Sequence, residues 1–309
     1  MTLINPPLLT HGGTHEARAF RMMVRDLARG SQGVTEGDDL KVRQLSTPAA
    51  GVRVVDGSAV IRGAAWGQGS YTQYNVGDAV VPVAPTAASP RSDLVCLRVE
   101  DPEYEGTRNP ETDEIGYFHV VSNVSASTTT VPAGMTAIPL ARLDIPANTT
   151  VITDSMIKDV RRIANPRRER RLYTSFPASL STLGYSDNKW HTWPSAARWN
   201  VYVPPWATNA KVVITIAGLR QSASNIFAKM QTVLGTDVGQ DTVIDDNQGR
   251  GVRRTTAIMA DNIGVPTSIR GTTQPLYLKT YMYKSETGDL SVDGGTSLIA
   301  DIEFNEGVV

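Results

Sequence analysis

Apolar residues first recur at helical spacing near the start of the chain. Between Phe20 and Leu27 they return at intervals of three and four, which places their side chains on one face of a helix. Thr14 can serve as the N-cap, and Gly30 can end the helix. The pattern predicts one amphipathic helix over 14–29, with an apolar face made of Phe20, Met23, Val24 and Leu27.

From residue 41 onward the apolar residues alternate with polar ones, as in half-buried strands separated by turns. The dipeptide Asp56-Gly57 suits a two-residue turn with positive φ angles, so 52–55 and 59–61 are predicted to form a hairpin. A second short helix is predicted after Thr153 and ends before Pro166. The strands predicted in this half are 52–55, 59–61, 80–83, 94–99, 117–121 and 138–145.

The stretch 165–171 is polar, highly charged and contains a proline, which is typical of a boundary between domains. Strand patterns dominate beyond it, in numbers that suit a β-sandwich or jelly roll. We therefore predict a mainly β protein, with an antiparallel β N-terminal domain, two short helices and a β-sandwich or jelly-roll-like C-terminal domain. The predicted divisions are an N-terminal segment 1–38, a β-rich domain 39–164, an Arg-rich linker 165–173 and a sandwich domain 174–309. The strands predicted in the sandwich are 201–203, 212–216, 226–234, 252–259, 276–283 and 298–304.

Charge and composition exclude several kinds of partner. The 309 residues carry 30 Lys and Arg against 31 Asp and Glu, so no overall field favours nucleic acid or an anionic membrane. We expect no signal peptide and no membrane insertion, because no apolar run approaches the roughly 20 residues that span a bilayer. The single cysteine, Cys96, lies in an apolar run, where we expect it to pack as a small hydrophobic side chain in a protein made in a reducing cytoplasm.

Motifs of catalysis are missing from the sequence. It has no Gly-x-Ser-x-Gly elbow, no phosphate-binding lysine loop and no complete dinucleotide fingerprint. His11 and His15 are four apart, but two glycines between them argue against a helical zinc site. The run 245–247 resembles part of a calcium loop without its closing glutamate and favours a polar hairpin. We expect no enzyme, cofactor or metal, although a pair of glycosidase carboxylates cannot be recognised from spacing alone.

An arginine cluster surrounds the predicted linker. It is open to three interpretations: a solvated linker, a nucleic-acid site that lacks interleaved aromatic residues, or pairing with the acidic loop 101–116 of a neighbouring subunit. The third would fix the register between copies. The candidate assembly contacts are Arg161, Arg167, Arg168, Arg170 and Arg171, together with Phe20 and Leu27 of the first helix.

Four of the five tryptophans fall within one short stretch, near Tyr185 and Tyr202. Clustered Trp residues fit two roles. They can fill a core, because each buries a large area, or form an aromatic platform for a sugar or a partner surface. The candidate binding residues are Trp190, Trp193, Trp199 and Trp206.

Several spaced motifs carry a resemblance to a known family. They are Gly57-Ser-Ala-Val-Ile-Arg-Gly63, Gly69-Ser-Tyr71, Ser89-Pro-Arg-Ser-Asp-Leu-Val-Cys-Leu-Arg-Val-Glu-Asp101, Pro139-Leu-Ala-Arg-Leu-Asp-Ile-Pro-Ala147 and Asp159-Val-Arg161. In this order, over roughly 40 to 165, they resemble the N-terminal domain of tail-tip proteins from phages of actinobacteria, that is, minor tail proteins of siphoviruses. The stretches 199–207 and 216–219 look like the β-sandwich heads found at such positions.

The resemblance implies an attachment role. It makes 39–164 an attachment domain on the tail tip or baseplate and 174–309 a head presented to the host, in a virion protein made in the host cytoplasm. It implies several copies of the chain beside other tail or virion proteins. We expect a homotrimer, because closed symmetric assembly suits an attachment role. The tryptophan cluster makes a host cell-wall glycan a further expected partner, and the balanced charge argues against nucleic acid. A capsid decoration or fibre protein, and a glycan-degrading tail enzyme, are the alternatives.

Overall fold

A computed structural model describes residues 7–184 and 187–309. The chain forms two compact units: one holds the residues up to Pro166 together with Val308 and Val309, and the other runs from Arg167 to Gly307. Both are built from antiparallel strands, so the predicted mainly β fold is confirmed. No helix among the described residues is long and apolar enough to cross a membrane.

The first unit contains three small antiparallel sheets, with strand orders β1-β4-β5, β2-β3-β6 and β10-β9-β7-β8. Its α-helix is α1 (Ala17–Leu27), and short 3-10 turns lie at Trp66–Gln68 and Asp154–Met156. The strands are β1 (Gly33–Val34), β2 (Val42–Gln44), β3 (Gly51–Val54), β4 (Gly57–Arg62), β5 (Ser70–Asn75), β6 (Ala79–Pro82), β7 (Arg91–Val99), β8 (Gly116–Val124), β9 (Ala137–Ile145) and β10 (Ile157–Asp159).

Strand β7 lies between β8 and β9 and is buried on both faces, which explains its unbroken apolar run. Val95 and Leu97 pack into the main core of the unit, whereas Leu94 and Cys96 pack on the opposite side of the strand. Cys96 is therefore a buried packing residue, as predicted.

The start of β7 is held by a buried carboxylate. Arg91 donates from Nε to Asp93 Oδ1 at 2.8 Å, and the backbone N of Asn123 donates to the same oxygen at 2.9 Å. Asp93 is fully buried, so charge-assisted hydrogen bonds are needed to offset its desolvation. Arg91 Nη2 also lies 2.8 Å from Asp93 Oδ2, which completes a salt bridge at the start of β7.

Two local predictions in this unit were wrong. Strand β3 pairs with β2 and β6, while β4 pairs with β1 and β5, so Asp56-Gly57 does not join a hairpin. Gly57 has φ 144°, and a Cβ there would lie 2.6 Å from the Cα of Asp39; glycine is required for close packing of two chain segments. The predicted second helix is a single 3-10 turn at Asp154–Met156 followed by β10.

Helix α1 lies against its unit through arginines and not through its apolar stripe. Phe20 and Leu27 are exposed, by 44% and 72%. Arg21 donates to the carbonyl of Gln68 at 2.9 Å and to Glu103 at 2.5 Å. Its guanidinium also lies 5.5 Å from the ring centroid of Tyr71. Phe20 and Leu27 of the predicted apolar face therefore point to solvent, where they stay predicted assembly contacts.

The contact between α1 and the loop at Glu103 should weaken in acid. Hydrogen bonding from Arg18, and then from Arg21, lowers the pKa of Glu103 to about 2. A lowered folded-state pKa stabilises the contact above the ordinary glutamate pKa near 4.3, and this stabilisation is lost as the pH falls toward 2. We expect the α1 amides to lose protection over this range, measured by hydrogen exchange corrected for the intrinsic rate. In Glu103→Gln the protection at pH 7 should already be low and should change less with acid.

The second unit is a β-sandwich of two antiparallel six-stranded sheets. The first sheet has the strand order β11-β22-β15-β21-β12, and β19 pairs with the other edge of β15. The second sheet has the order β13-β20-β16-β17. In it, β14 also pairs with β20, and β18 also pairs with β16. A 3-10 turn lies at Thr267–Ile269. The strands are β11 (Arg168–Ser175), β12 (Ser181–Thr182), β13 (Trp190–Thr192), β14 (Arg198–Tyr202), β15 (Asn209–Ser222), β16 (Ile226–Leu234), β17 (Asp237–Val238), β18 (Thr242–Asp246), β19 (Arg253–Gly264), β20 (Thr273–Met282), β21 (Asp289–Val292) and β22 (Ser297–Asn305).

The core of the sandwich follows from the alternation that predicted its strands. In β22 the buried side chains are Leu298, Ala300, Ile302 and Phe304, and in β20 they include Leu276, Leu278 and Met282. Each strand thus contributes every second side chain to one core and turns the others outward.

Residues 165–173, which were predicted to form a linker, do not form one. Arg168–Ser175 is strand β11, which pairs along its whole length with β22. Charged residues fit there because β11 is an edge strand of its sheet, where alternate side chains face solvent and charges discourage pairing with other chains.

Candidate functional site

The four clustered tryptophans do not form one surface. Trp193 and Trp199 are buried, with 6% and 8% of their surface exposed, and belong to the sandwich core. Trp206 packs partly buried against the same core and carries the guanidinium of Arg167 over its ring at 5.6 Å. Trp190 is exposed by 37%. The platform interpretation is therefore corrected for Trp193 and Trp199, and Tyr185 lies outside the described residues.

Trp190 belongs to a different aromatic group, which strands distant in sequence bring together. Its ring centroid lies 5.5 Å from that of Tyr281, which lies 5.0 Å from that of Tyr283. The ring of Tyr283 is 4.8 Å from that of Phe227. We call these four side chains, Trp190, Phe227, Tyr281 and Tyr283, the aromatic face.

Strand register places the aromatic face on the outer side of the second sheet. Tyr281 is paired with Trp190 on β13 and with Lys229 on β16. Paired residues share a face, and Leu278 and Met282 of β20 point the other way into the core. Each of the four aromatic residues keeps part of its surface exposed. The result is a continuous row of rings across three strands, accessible from outside the sandwich.

Polar groups border the rings. Lys229 pairs with Asp241 at 3.0 Å, and Gln231 donates from Nε2 to the same carboxylate at 2.7 Å. Hydrogen bonds to Asp241 and then to the Tyr283 hydroxyl raise the pKa of Lys229 above its ordinary value. The ammonium therefore stays charged next to the rings. Stacking surfaces and fixed hydrogen-bonding groups lie together on one face of the sheet.

Arg161 is not an assembly contact. Its side chain is fully buried and donates from Nε and Nη2 to Asp159, from Nη1 to the carbonyl of Asp39 at 2.6 Å, and from Nη2 to that of Val309 at 3.0 Å. All of these partners lie in the first unit, so the prediction for Arg161 was wrong. The guanidinium is needed inside the fold, where it satisfies the carbonyls of two distant chain segments.

The other predicted arginines lie at the edge strand β11 or just before it. Arg167 donates from Nε to Glu306 at 3.0 Å, and Arg170 donates from Nε to Asp301 at 2.8 Å. Arg171 pairs with Glu169 and lies 5.8 Å from the ring centroid of Tyr202. Arg168 is exposed. Since Arg167, Arg170 and Arg171 already pair inside their own unit, they offer little to a neighbouring subunit's acidic loop.

The acidic loop also finds partners inside its own unit. Glu103 pairs with Arg18 and Arg21, and Glu105 pairs with Arg98. At these positions, the loop and the arginine cluster therefore have no free charges with which to fix the register between copies. Within 7–184 and 187–309, no group of three or more His, Cys, Asp or Glu side chains could hold a metal ion.

Comparisons with known proteins leave the chain without a family. No protein-family model matches it, and none of the curated proteins does. Among solved structures, one of the Gx strain of infectious bursal disease virus is 12% identical with a TM-score of 0.28, covering 91% of this chain and 72% of that chain. Its VP2 subviral particle is 12% identical, with a TM-score of 0.27 and coverage of 90% and 79%. A Cry1Da tryptic core variant from Bacillus thuringiensis is 9% identical, with a TM-score of 0.20 and coverage of 98% and 57%. Likenesses this weak carry no argument about this chain.

Most of the aromatic face was not predicted from the sequence, because its residues are far apart along the chain. A signal was present in and just after β20, where Tyr277, Lys279, Tyr281 and Tyr283 alternate with buried residues. Large aromatic residues at outward positions of a strand are unusual where solvent is the only neighbour. That pattern alone predicts an aromatic surface on β20, but it does not identify Trp190 and Phe227 as its neighbours.

Proposed function

We propose that this chain is a non-enzymatic structural protein of a virion, a minor component of the tail tip or baseplate that binds a host cell-wall glycan through its β-sandwich. The aromatic face is the observation that carries the proposal. The motifs between residues 40 and 165 that resemble phage tail-tip proteins support its place on the tail, and the first unit is the part that attaches. Copies of the chain form a homotrimer.

The chemistry of the aromatic face suits a sugar. The apolar faces of pyranose rings stack on exposed aromatic rings, and their hydroxyls need hydrogen-bonding groups at the border of the stack. Lys229, Gln231 and the Tyr283 hydroxyl occupy this border. The face lies on an open sheet and not in a deep pocket, so each site binds weakly. Several copies on one particle then provide avidity.

Removing rings from the aromatic face should abolish binding without unfolding the chain. We expect Trp190→Ala/Tyr281→Ala to lower binding to purified actinobacterial cell-wall glycan at least tenfold, because exposed aromatic anchors dominate such contacts. Binding is measured by co-sedimentation of the full chain, and circular dichroism checks the fold. Phe176→Ala, which removes an exposed ring of the same unit outside this face, is the matched control and should bind normally.

Three further experiments test the other parts of the proposal. Release of soluble sugar from the glycan by the purified chain would overturn the non-enzymatic assignment. Antibody labelling of intact particles should mark the tail, and labelling of the capsid would contradict the tail position. Light scattering after size exclusion should give the mass of three chains; a monomer at micromolar concentration would contradict the trimer.

A further inference from the structure

The sandwich has an open cleft at the border between its two sheets. Strand β18 ends at Asp246 and pairs with β16, and β19 starts at Arg253 and pairs with β15. The turn between them therefore crosses from one sheet to the other, and the polar hairpin predicted around 245–247 is not formed. A cleft of about 650 Å³ lies between the first half of β19 and the whole of β18.

Both walls of the cleft are free sheet edges. Within the described part of the chain, β18 and β19 each pair on one side only. Their outer edges present backbone N–H and C=O groups that no neighbouring strand uses. The two edges approach each other at the far end, where the backbone N of Gln240 donates to Asp261 at 2.8 Å. Between this contact and the crossing turn, β19 lines the cleft over 253–258.

A buried amide points into this cleft. Gln221 on β15 is only 2% exposed and is one of the residues lining the cleft. Its Nε2 donates to the Thr255 hydroxyl at 3.3 Å, but its Oε1 has no hydrogen-bond partner among the described residues. An unpaired buried acceptor lowers the stability of the fold. A methionine of similar size would fill the same space without that cost. The amide oxygen can instead accept a hydrogen bond from a donor outside the chain.

The crossing turn closes the other end of the cleft. Arg253 donates to Asp246 at 2.6 Å and to the carbonyls of Gly249 and Gly251, each at 2.5 Å. These contacts hold the crossing turn at one end of the free edges. The residues lining the cleft include hydroxyls, carboxylates and amides but no aromatic side chain. A sugar would lack a stacking surface here, whereas an extended peptide needs only backbone partners and a polar contact.

We propose that this cleft binds an extended polypeptide segment of a partner protein, which adds as a strand to the free edge of β19. The backbone of β19 between Arg253 and Ile258 supplies the ladder of hydrogen bonds. Gln221 Oε1 accepts one further hydrogen bond from a backbone N–H or side-chain amide of that segment. The site lies at the border between the sheets, apart from the aromatic face, and the inference does not depend on glycan binding.

A selection from random peptides tests the proposal directly. The full chain is exposed to an mRNA-displayed library of linear 15-residue peptides, and the enriched sequences are synthesised. Bound peptide should slow hydrogen exchange of the amides in 253–258. It should also protect a Thr256→Cys variant from a bulky maleimide at least tenfold, but not a Thr174→Cys variant. Cys96 gives no background, because burial raises the pKa of its thiol to about 12.

The variant Gln221→Met separates a binding role from a structural one. It should weaken binding of the selected peptides at least tenfold while leaving the unfolding temperature unchanged or higher. Failure to enrich any peptide would overturn the proposal. So would peptides that bind Gln221→Met normally, or that protect Thr174→Cys as well as Thr256→Cys. A purified glycan that protects Thr256→Cys where peptides do not would also overturn it.

Discussion

Replacing Trp193 by alanine is expected to lower the free energy of unfolding by about 3 to 5 kcal/mol. The indole is 6% exposed and belongs to the sandwich core, so its removal leaves a large cavity. Its backbone carbonyl also accepts the buried Thr280 hydroxyl at 2.9 Å, and a shift of the backbone around the cavity would weaken that contact. Denaturant unfolding of the full chain, followed by far-ultraviolet circular dichroism, measures the loss.

Trp190 provides the matched control for this prediction. Its side chain is 37% exposed on the aromatic face, so Trp190→Ala should cost less than about 1 kcal/mol. Each variant should therefore affect a different assay. Trp193→Ala should lower stability, and Trp190→Ala should lower glycan binding. A Trp193→Ala variant as stable as the wild type would show that this ring is not part of the core.

Replacing Arg161 by methionine should destabilise the first unit by about 1 to 3 kcal/mol. The substitution removes a fully buried guanidinium and leaves the carboxylate of Asp159 and the carbonyls of Asp39 and Val309 without their donor. The Asp159 side chain is 33% exposed and can regain water, so the cost comes mainly from the hydrogen bonds that the buried guanidinium made, and it should still exceed the cost of breaking an exposed pair. The midpoint of urea unfolding gives the measurement.

Arg170→Met is the corresponding exposed substitution. The Arg170 side chain is 69% exposed in its pair with Asp301, and solvent screens an exposed ion pair strongly. We therefore expect a shift close to zero for Arg170→Met. Equal shifts for the two variants would contradict the distinction between a buried structural arginine and a surface one.

The sequence predicted the positions of single strands and which of their side chains face the core. Alternation predicted 226–234 and 298–304, and the structure has strands at Ile226–Leu234 and Ser297–Asn305. Local turn chemistry was less informative. Gly57 suited a hairpin turn, but its backbone is instead packed against Asp39, a contact that no local pattern reveals. The charge pattern also gave a wrong prediction, because the charged stretch after Pro166 is an edge strand and not a linker.

The candidate site depended on strand order, which the sequence did not supply. Trp190, Trp193 and Trp199 are close in sequence, yet one is exposed and two are buried. Phe227 and Tyr283 are far apart in sequence, yet their rings lie 4.8 Å apart. Arg161 could not be recognised as structural, because its carbonyl partner at Val309 is 148 residues away. Long-range register decides which side chains meet, and single-sequence patterns report only local periodicity.

The pairing of β11 with β22 has a consequence for how such proteins can diversify. The first and last strands of the second unit are neighbours, and the Arg167–Glu306 ion pair joins the two positions where the chain enters and leaves it. A unit whose two ends lie side by side can be exchanged for another sandwich as a cassette, with both junctions kept. Under the proposed function, grafting a head of different specificity between residues 166 and 308 would change what is recognised and leave the first unit intact.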